Sequence, residues 1–368
     1  MKILIVIDSL GSGGAQKLAV NLAQGLAKGH TVEIFLYHKE FNFFESQLSK
    51  SKIKIHTFNS RDGHKIKIIN SLRIILHLRN LMKENFDAVL SLLHTPSIYS
   101  AIAGIGILKN KLVVCELSSS NAPVNKIKKL LFYLASIASK MVVANSFNEA
   151  SIISKKTCLK NKVKAIWNGY NLNSIKFNDN YNNKSKDIIV VGRIAYPKNG
   201  LNLLKGLKLF LEKNGSNVSI RWAGRKDNDS KSIRMQKDMM EYIQQNPIIK
   251  SNMIFLGEVK DVYELYKNAG ALIHPSIYEG LPMVICEAML IGCPIMASNI
   301  GDHPLILDSN RGILFDPNSP ESICEALEKF DFMDFNDKKQ MISQARKFAE
   351  INFSINKMVK SFENILKG

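Results

Sequence analysis

Residues 271–299, ALIHPSIYEGLPMVICEAMLIGCPIMASN, compress a strand, a loop, a helix and a second strand into twenty-nine positions, and few folds accept that spacing. The apolar run 271–276 reads as a buried strand, with Tyr278-Glu279-Gly280 as the loop at its carboxyl end. Pro282 stands where a helix begins, a position at which its missing N–H costs nothing. The helix MVICEAML follows, stops at Gly292 with Pro294 beyond, and gives way to a strand, PIMAS. This is a βαβ unit. In an open parallel sheet ligands bind beyond the carboxyl ends of the strands, where helix N-termini offer N–H groups and a partial positive charge to anions. Glu279 falls at the helix mouth, where a diphosphate or the sugar attached to it would lie. Glu287, eight residues on, is too distant to form a dyad with it and would reach the same crevice from the side. A carboxylate recognises vicinal hydroxyls by accepting two hydrogen bonds, which suits a ribose or a hexose. The simpler reading leaves Glu279 complementing the helix dipole and Glu287 solvated.

A chain of 368 residues suits two domains of about 150 to 200 residues each. No stretch of eighteen apolar residues is present, so no spanning helix is expected. Met1-Lys2 leads into ILIVID, which is too short for a signal peptide and lacks a small-residue cleavage site before Asp8, so it reads as a first strand. The five cysteines are odd in number and form no close pair at metal spacing, which fits a reduced cytoplasm and no metal site. The net charge of +18 is unevenly spread: residues 1–180 carry 25 Lys and Arg against 10 Asp and Glu, and residues 181–368 carry 25 against 22. A basic face on the first half would turn to phosphate, in lipid head groups or nucleic acid. Nucleic acid is disfavoured, because no helix-turn-helix, zinc or RNP-type pattern accompanies the charge.

From the start of the chain, the strand ILIVI, the loop Gly11-Ser12-Gly13-Gly14, a helix and the strand HTVEIFLY follow the order of a doubly wound domain. Gly13 and Gly14 would let the backbone approach a phosphate or sugar. The loop is not a dinucleotide fingerprint, since Gln16 stands in place of its third glycine and the nearest acid, Glu40, reads as surface; NAD is disfavoured. Residues 65–83 form an amphipathic basic helix, with Lys65, Lys67, Arg73, Arg79 and Lys83, whose default is to pack on a sheet. In 124–141, Lys126, Lys128 and Lys129 precede Leu130, Leu131, Phe132 and Tyr133, and this is the stretch expected to touch a membrane. His94 and Glu116 each stand at a strand end. The Asn/Lys-rich NDNYNNKSK reads as a linker.

The phrase EGLPMVICEAMLIGCPIMAS, together with GGAQKLAVNLAQGLAKGHTVEI and the Gly192-Arg193…Lys198 stretch, resembles the retaining glycosyltransferases of family 4. The likeness runs from the glycine loop to the last helix, with departures at Gln16, at Asn199 before Gly200, and at Arg225 and Lys226. It implies an α/β GT-B fold, two Rossmann-like domains facing each other across a cleft: 1–180 on the acceptor side, 181–345 binding a nucleotide sugar, and 346–368 packing back on the first domain. It implies sugar transfer from a nucleotide diphosphate sugar, UDP-linked by preference, to a saccharide acceptor, and the basic first half adds that this acceptor is lipid-linked, on a polyprenyl diphosphate or a lipopolysaccharide core, at an anionic membrane surface on the cytoplasmic face. In that reading Arg193 forks onto phosphate oxygens and Lys198 supplies a point charge, so no metal or other cofactor is required. Glu279 attends the transferred sugar, and His94 touches sugar or acceptor. Gly280, Leu281, Met283, Val284 and Glu287 line the donor, Gly257 to Val259 lie beside the base, and Glu116 serves the acceptor side. Two alternatives stay open on the same scaffold: a catalytically inactive nucleotide-sugar-binding subunit, and an epimerase or phosphorylase.

Overall fold

The short, β-branched apolar runs become parallel strands because each is covered on both faces by helices. In the computed structural model, which describes residues 1–11, 13–39, 42–48, 51–58, 67–178, 185–215 and 218–368, the first-half strands are β1 Lys2–Val6, β2 Thr31–Leu36, β3 Lys54–Thr57, β4 Ala88–Leu92, β5 Leu112–Glu116, β6 Met141–Ala144 and β7 Val163–Ala165. They pair in the order β3-β2-β1-β4-β5-β6-β7, all parallel. The second set is β8 Ile188–Val191, β9 Ile220–Ala223, β10 Met253–Gly257, β11 Ala271–His274, β12 Ile295–Ser298 and β13 Ile313–Phe315. Its order is β10-β9-β8-β11-β12-β13, again parallel. Strand order therefore reverses once in each sheet, between β1 and β4 and between β8 and β11, and this switch point is where such sheets leave a crevice at their carboxyl ends. Ser12, Glu40, Lys65 and most of the linker, 179–184, lie outside the described residues.

The chain divides into one unit of Met1–Asn171 with Asn352–Gly368 and another of Leu172–Ile351. These bounds differ from the 180/181 and 345/346 that the family resemblance implies, and the contacts explain the difference. Asn178 N–H already donates to Ile291 O at 2.9 Å, and the Arg346 guanidinium stacks over Phe177 at 5.3 Å, so both segments belong to the second unit. In the first unit Leu18 and Leu22 of the helix Gly14–Leu26 close one face of the sheet with Met358 and Phe362 of the helix Ile355–Lys367. The other face buries Ile74, Leu78 and Phe132. In the second unit Leu203, Leu207, Trp222 and Leu327 share a core. Each such side chain contributes about 1.5–3 kcal/mol by leaving water.

Candidate active site

In the second unit the loops after β8 and β11 meet at the switch point, and Ile277 N–H donates to Pro197 O at 2.9 Å. The start of the β8 loop is pinned: Trp222 Nε1–H donates to Gly192 O at 2.8 Å. A Cβ on Gly224 would lie 2.0 Å from that same oxygen, so only glycine lets the two backbones come this close. Tyr196–Lys198 then make one 3₁₀ turn, and the helix Gly200–Asn214 begins behind Asn199, which is left-handed at φ 53°. Asn199 Nδ2 donates to Pro317 O at 2.6 Å, so the residue inserted before Gly200 ties the loop down.

This framework aims Lys198 at Glu279, with Nζ 2.5 Å from Oε1. Ser276 Oγ donates to the same oxygen at 2.7 Å, and His274 Nε2 lies 3.2 Å from it. Oε2 of Glu279 carries no partner among the described residues. The Lys198 and Glu279 side chains are 17% and 19% exposed, so this pair is shielded well beyond the surface salt bridges that contribute little. Burial pushes the Glu279 carboxyl up, but Lys198 and then His274 outweigh it and hold it well below the usual carboxylate range. Arg193, expected to share the phosphate with Lys198, instead pairs with Asp227 and remains 55% exposed. Both cations thus carry a carboxylate here, and a bound diphosphate would have to compete with or join each of them.

Sequence reasoning missed the layer beneath. His274 and His303 are fully buried, their rings 5.5 Å apart. His303 Nδ1–H donates to Ser298 O at 2.7 Å, and Ser298 Oγ donates to His274 O at 3.2 Å. Burial lowers both histidines; Lys198 adds to the effect at His274, and His274 adds to it at His303, which falls to about 3. The signal available was the strand period: His274 and Ser276 are two residues apart at a strand end and share a side with the crevice.

Pro282 is the N-cap of the helix Met283–Ile291, one position earlier than its expected place inside the first turn, and no side chain caps this end. Gly280 and Leu281 are buried there, while Met283 and Val284 are half-buried. Glu287, one turn on, accepts from the buried Tyr266 hydroxyl at 3.4 Å. Gly257 ends β10 at φ 69° and its carbonyl takes Gly224 N–H at 2.7 Å, with Val259 half-buried beyond.

In the first unit Gly13 is the N-cap of its helix. The Gln16 side chain covers it, donating to Asp8 Oδ1 at 3.0 Å and standing where a Gly13 Cβ would point. His94, the first residue of the helix His94–Ala103, and Glu116, the last of β5, were expected separately; the fold brings them into a direct hydrogen bond from His94 Nε2 to Glu116 Oε2. Ser118 N–H and Oγ hold the other oxygen at 3.0 and 2.5 Å. Phe132, expected at a membrane, is buried against the His94 ring, 4.3 Å centroid to centroid. Lys126, Lys128 and Lys129 are exposed. Among the described residues no helix is long and apolar enough to cross a membrane, and no group of three or more His, Cys, Asp or Glu is arranged to hold a metal.

Residues 173–348 match the family model of glycosyl transferases group 1. Over 351 residues the chain is 29% identical to a Campylobacter jejuni GalNAc-alpha-(1->4)-GalNAc-alpha-(1->3)-diNAcBac-PP-undecaprenol alpha-1,4-N-acetyl-D-galactosaminyltransferase, covering 94% of this chain and 93% of that one. It is 25% identical over 287 residues to an Escherichia coli UDP-Gal:alpha-D-GlcNAc-diphosphoundecaprenol alpha-1,3-galactosyltransferase, 71% of each. The fold is that of Anabaena HepE, solved in complex with UDP and glucose, at a TM-score of 0.82 and 17% identity over 100% of this chain and 99% of that one.

Proposed function

We propose that the protein, whose fold is GT-B and whose residues 173–348 match the glycosyl transferases group 1 model, is a retaining glycosyltransferase of family 4. In this reading it moves a sugar from a UDP-sugar to a saccharide carried on a polyprenyl diphosphate, in the assembly of a cell-surface polysaccharide. The observation that carries this is the Lys198–Glu279 pair at the β8/β11 switch point. A cation and a carboxylate held side by side match the two halves of a nucleotide diphosphate sugar: Lys198 faces the diphosphate, and Oε2 of Glu279 accepts from a sugar hydroxyl while Oε1 is held by its three donors. The short helix behind Pro282 and the exposed Arg193 add positive charge where the leaving diphosphate gains negative charge, which lowers the barrier without a metal ion. Glu287 takes the ribose hydroxyls and the Gly257–Val259 loop the base. As the donor's anomeric C–O bond breaks, the leaving phosphate oxygen accepts the proton of the acceptor hydroxyl, which attacks from the same face. The His94–Glu116 pair serves the acceptor side.

A diphosphate-lipid acceptor, as in the names of the two bacterial relatives, agrees with the first unit's surface. The helix Lys67–Met82 exposes Ile68, Leu72 and Leu76, and the helix Lys126–Ala138 exposes Ile127, Leu130 and Leu134 beside its lysines. Apolar residues flanked by basic ones suit peripheral docking on an anionic bilayer, and five free cysteines suit its cytoplasmic side. The test is transfer from a panel of UDP-sugars to a polyprenyl-diphosphate saccharide in EDTA, with the new linkage assigned by NMR. Retention of the donor's anomeric configuration is expected. Inversion, or activity lost in EDTA and restored by Mg²⁺, would contradict the mechanism.

A further inference from the structure

A cavity of about 40 Å³ lies in the first unit beyond the carboxyl ends of β4 and β5, where His94, Glu116, Lys129 and Lys156 line it together with apolar Phe132 and Tyr133 among others. By that measure it has room for about three waters, or one phosphoryl group. Its acids are already committed. Glu116 is held by His94 and Ser118, and the fully buried Glu149 behind it accepts from the hydroxyls of Ser119 and Ser120. Its cations are not: neither Lys129 nor Lys156 forms an ion pair with a carboxylate of the described residues, and Lys156 Nζ rests over the Tyr133 ring at 4.7 Å. Partial burial and then the charge of Lys129 lower Lys156 below the usual lysine value, with Glu116 opposing them. Two ammonium groups at one cavity, with Glu116 the one carboxylate in its lining, leave an excess of positive charge that an anion between them offsets. The helix that supplies Lys129 also exposes Ile127, Leu130, Leu131 and Leu134, so apolar surface runs from the same element that carries the charge.

We propose that this cavity binds a phosphate group of an amphiphilic diphosphate ester, with Lys129 and Lys156 holding its charge and the exposed apolar side of the helix receiving its hydrocarbon chain. The proposal rests on the lipid-linked acceptor reading above and gives that acceptor's diphosphate a place distinct from the donor clamp of Lys198. Farnesyl diphosphate, inorganic pyrophosphate and farnesol are titrated by calorimetry into the protein with UDP saturating, so that the donor clamp is occupied. Farnesyl diphosphate should bind more tightly than pyrophosphate, and farnesol weakest of the three. The double variant Lys129→Gln/Lys156→Gln should lose roughly tenfold in farnesyl diphosphate affinity per lysine, with unchanged UDP affinity showing that it is folded. Equal farnesyl diphosphate affinity in variant and wild type overturns the site. Pyrophosphate binding as tightly as farnesyl diphosphate overturns the lipid part and makes the ligand a free phosphate species. An unchanged acceptor KM in the variant, while Lys198→Ala impairs transfer, would sink this cavity and leave the proposed function standing. Lysine-dependent farnesyl diphosphate binding by a protein that transfers no sugar would do the reverse.

Discussion

At Glu279 three donors, Lys198, Ser276 and His274, converge on a single oxygen, which leaves the carboxylate ionised, oriented and half available. Removing Lys198 leaves a shielded anion without its counter-ion and the leaving diphosphate without its nearest cation. Lys198→Ala and Arg193→Ala should each cost about 2 to 4 kcal/mol in kcat/KM, as other preorganised charge donors do; near-normal transfer by the double variant would remove the clamp. The histidine layer gives a pH prediction. His303 falls from an ordinary 6.5 to about 3 in the folded protein, so between those values the unfolded chain binds more protons and stability declines as pH drops. At about 1.36 kcal/mol per unit, wild type should lose on the order of 2 kcal/mol more than His303→Asn between pH 7 and pH 5 in urea denaturation, and parallel pH profiles would contradict this. Glu279, Arg193 and Lys198 could be singled out because their spacing matches a family pattern, but the pairing of Arg193 with Asp227 could not. The burial of His274 and His303 could not, since burial of a lone histidine depends on strands 23 residues apart in sequence, as β11 and β12 are at Leu272↔Ile295 and beyond.

At the scale of elements, the parallel strands and the helices between them followed from apolar runs and punctuation by glycine and proline. Which face of a helix is buried did not. The helix Lys67–Met82 presents Ile74, Leu78 and Met82 to the core and Ile68, Leu72 and Leu76 to solvent, and both sets repeat every four residues, so periodicity alone cannot choose between them. The return of the chain depends on close approach as well. Tyr170 N–H donates to Phe353 O at 2.8 Å, Ile355 N–H donates to Tyr170 O at 3.0 Å, and the buried Asn21 side chain donates to Gly169 O at 2.8 Å. A Cβ on Gly169 would sit 2.6 Å from Ile355 Cα, a backbone atom that cannot rotate away. Gly169→Ala should therefore cost the first unit about 1–3 kcal/mol through overpacking in chemical denaturation, with UDP affinity unchanged. Unaltered stability would mean that the helix Ile355–Lys367 yields without loss.

For the whole molecule the charge is the legible quantity: +15 over residues 1–180 against +3 over 181–368, from 25 basic and 10 acidic residues against 25 and 22. Each basic residue near an anionic bilayer contributes about 1 kcal/mol of attraction, screened as salt rises. The protein should pellet with anionic vesicles at low salt, ignore neutral ones and detach at high ionic strength. Lys126→Glu/Lys128→Glu should weaken that binding and spare UDP, and equal binding to neutral vesicles would defeat the electrostatic part. What the sequence could not convey was the state of the clamp, since whether Lys198 faces solvent or Glu279 depends on strands β8 and β11 lying side by side. That pair is the centre of the account, and UDP binding to wild type and Lys198→Ala, read as protection from unfolding, tests it most directly. Wild type should be protected saturably, by about 2.7 kcal/mol at a hundred times Kd, with Lys198→Ala requiring far more UDP for the same effect; no protection of wild type, or equal protection of both, would contradict it.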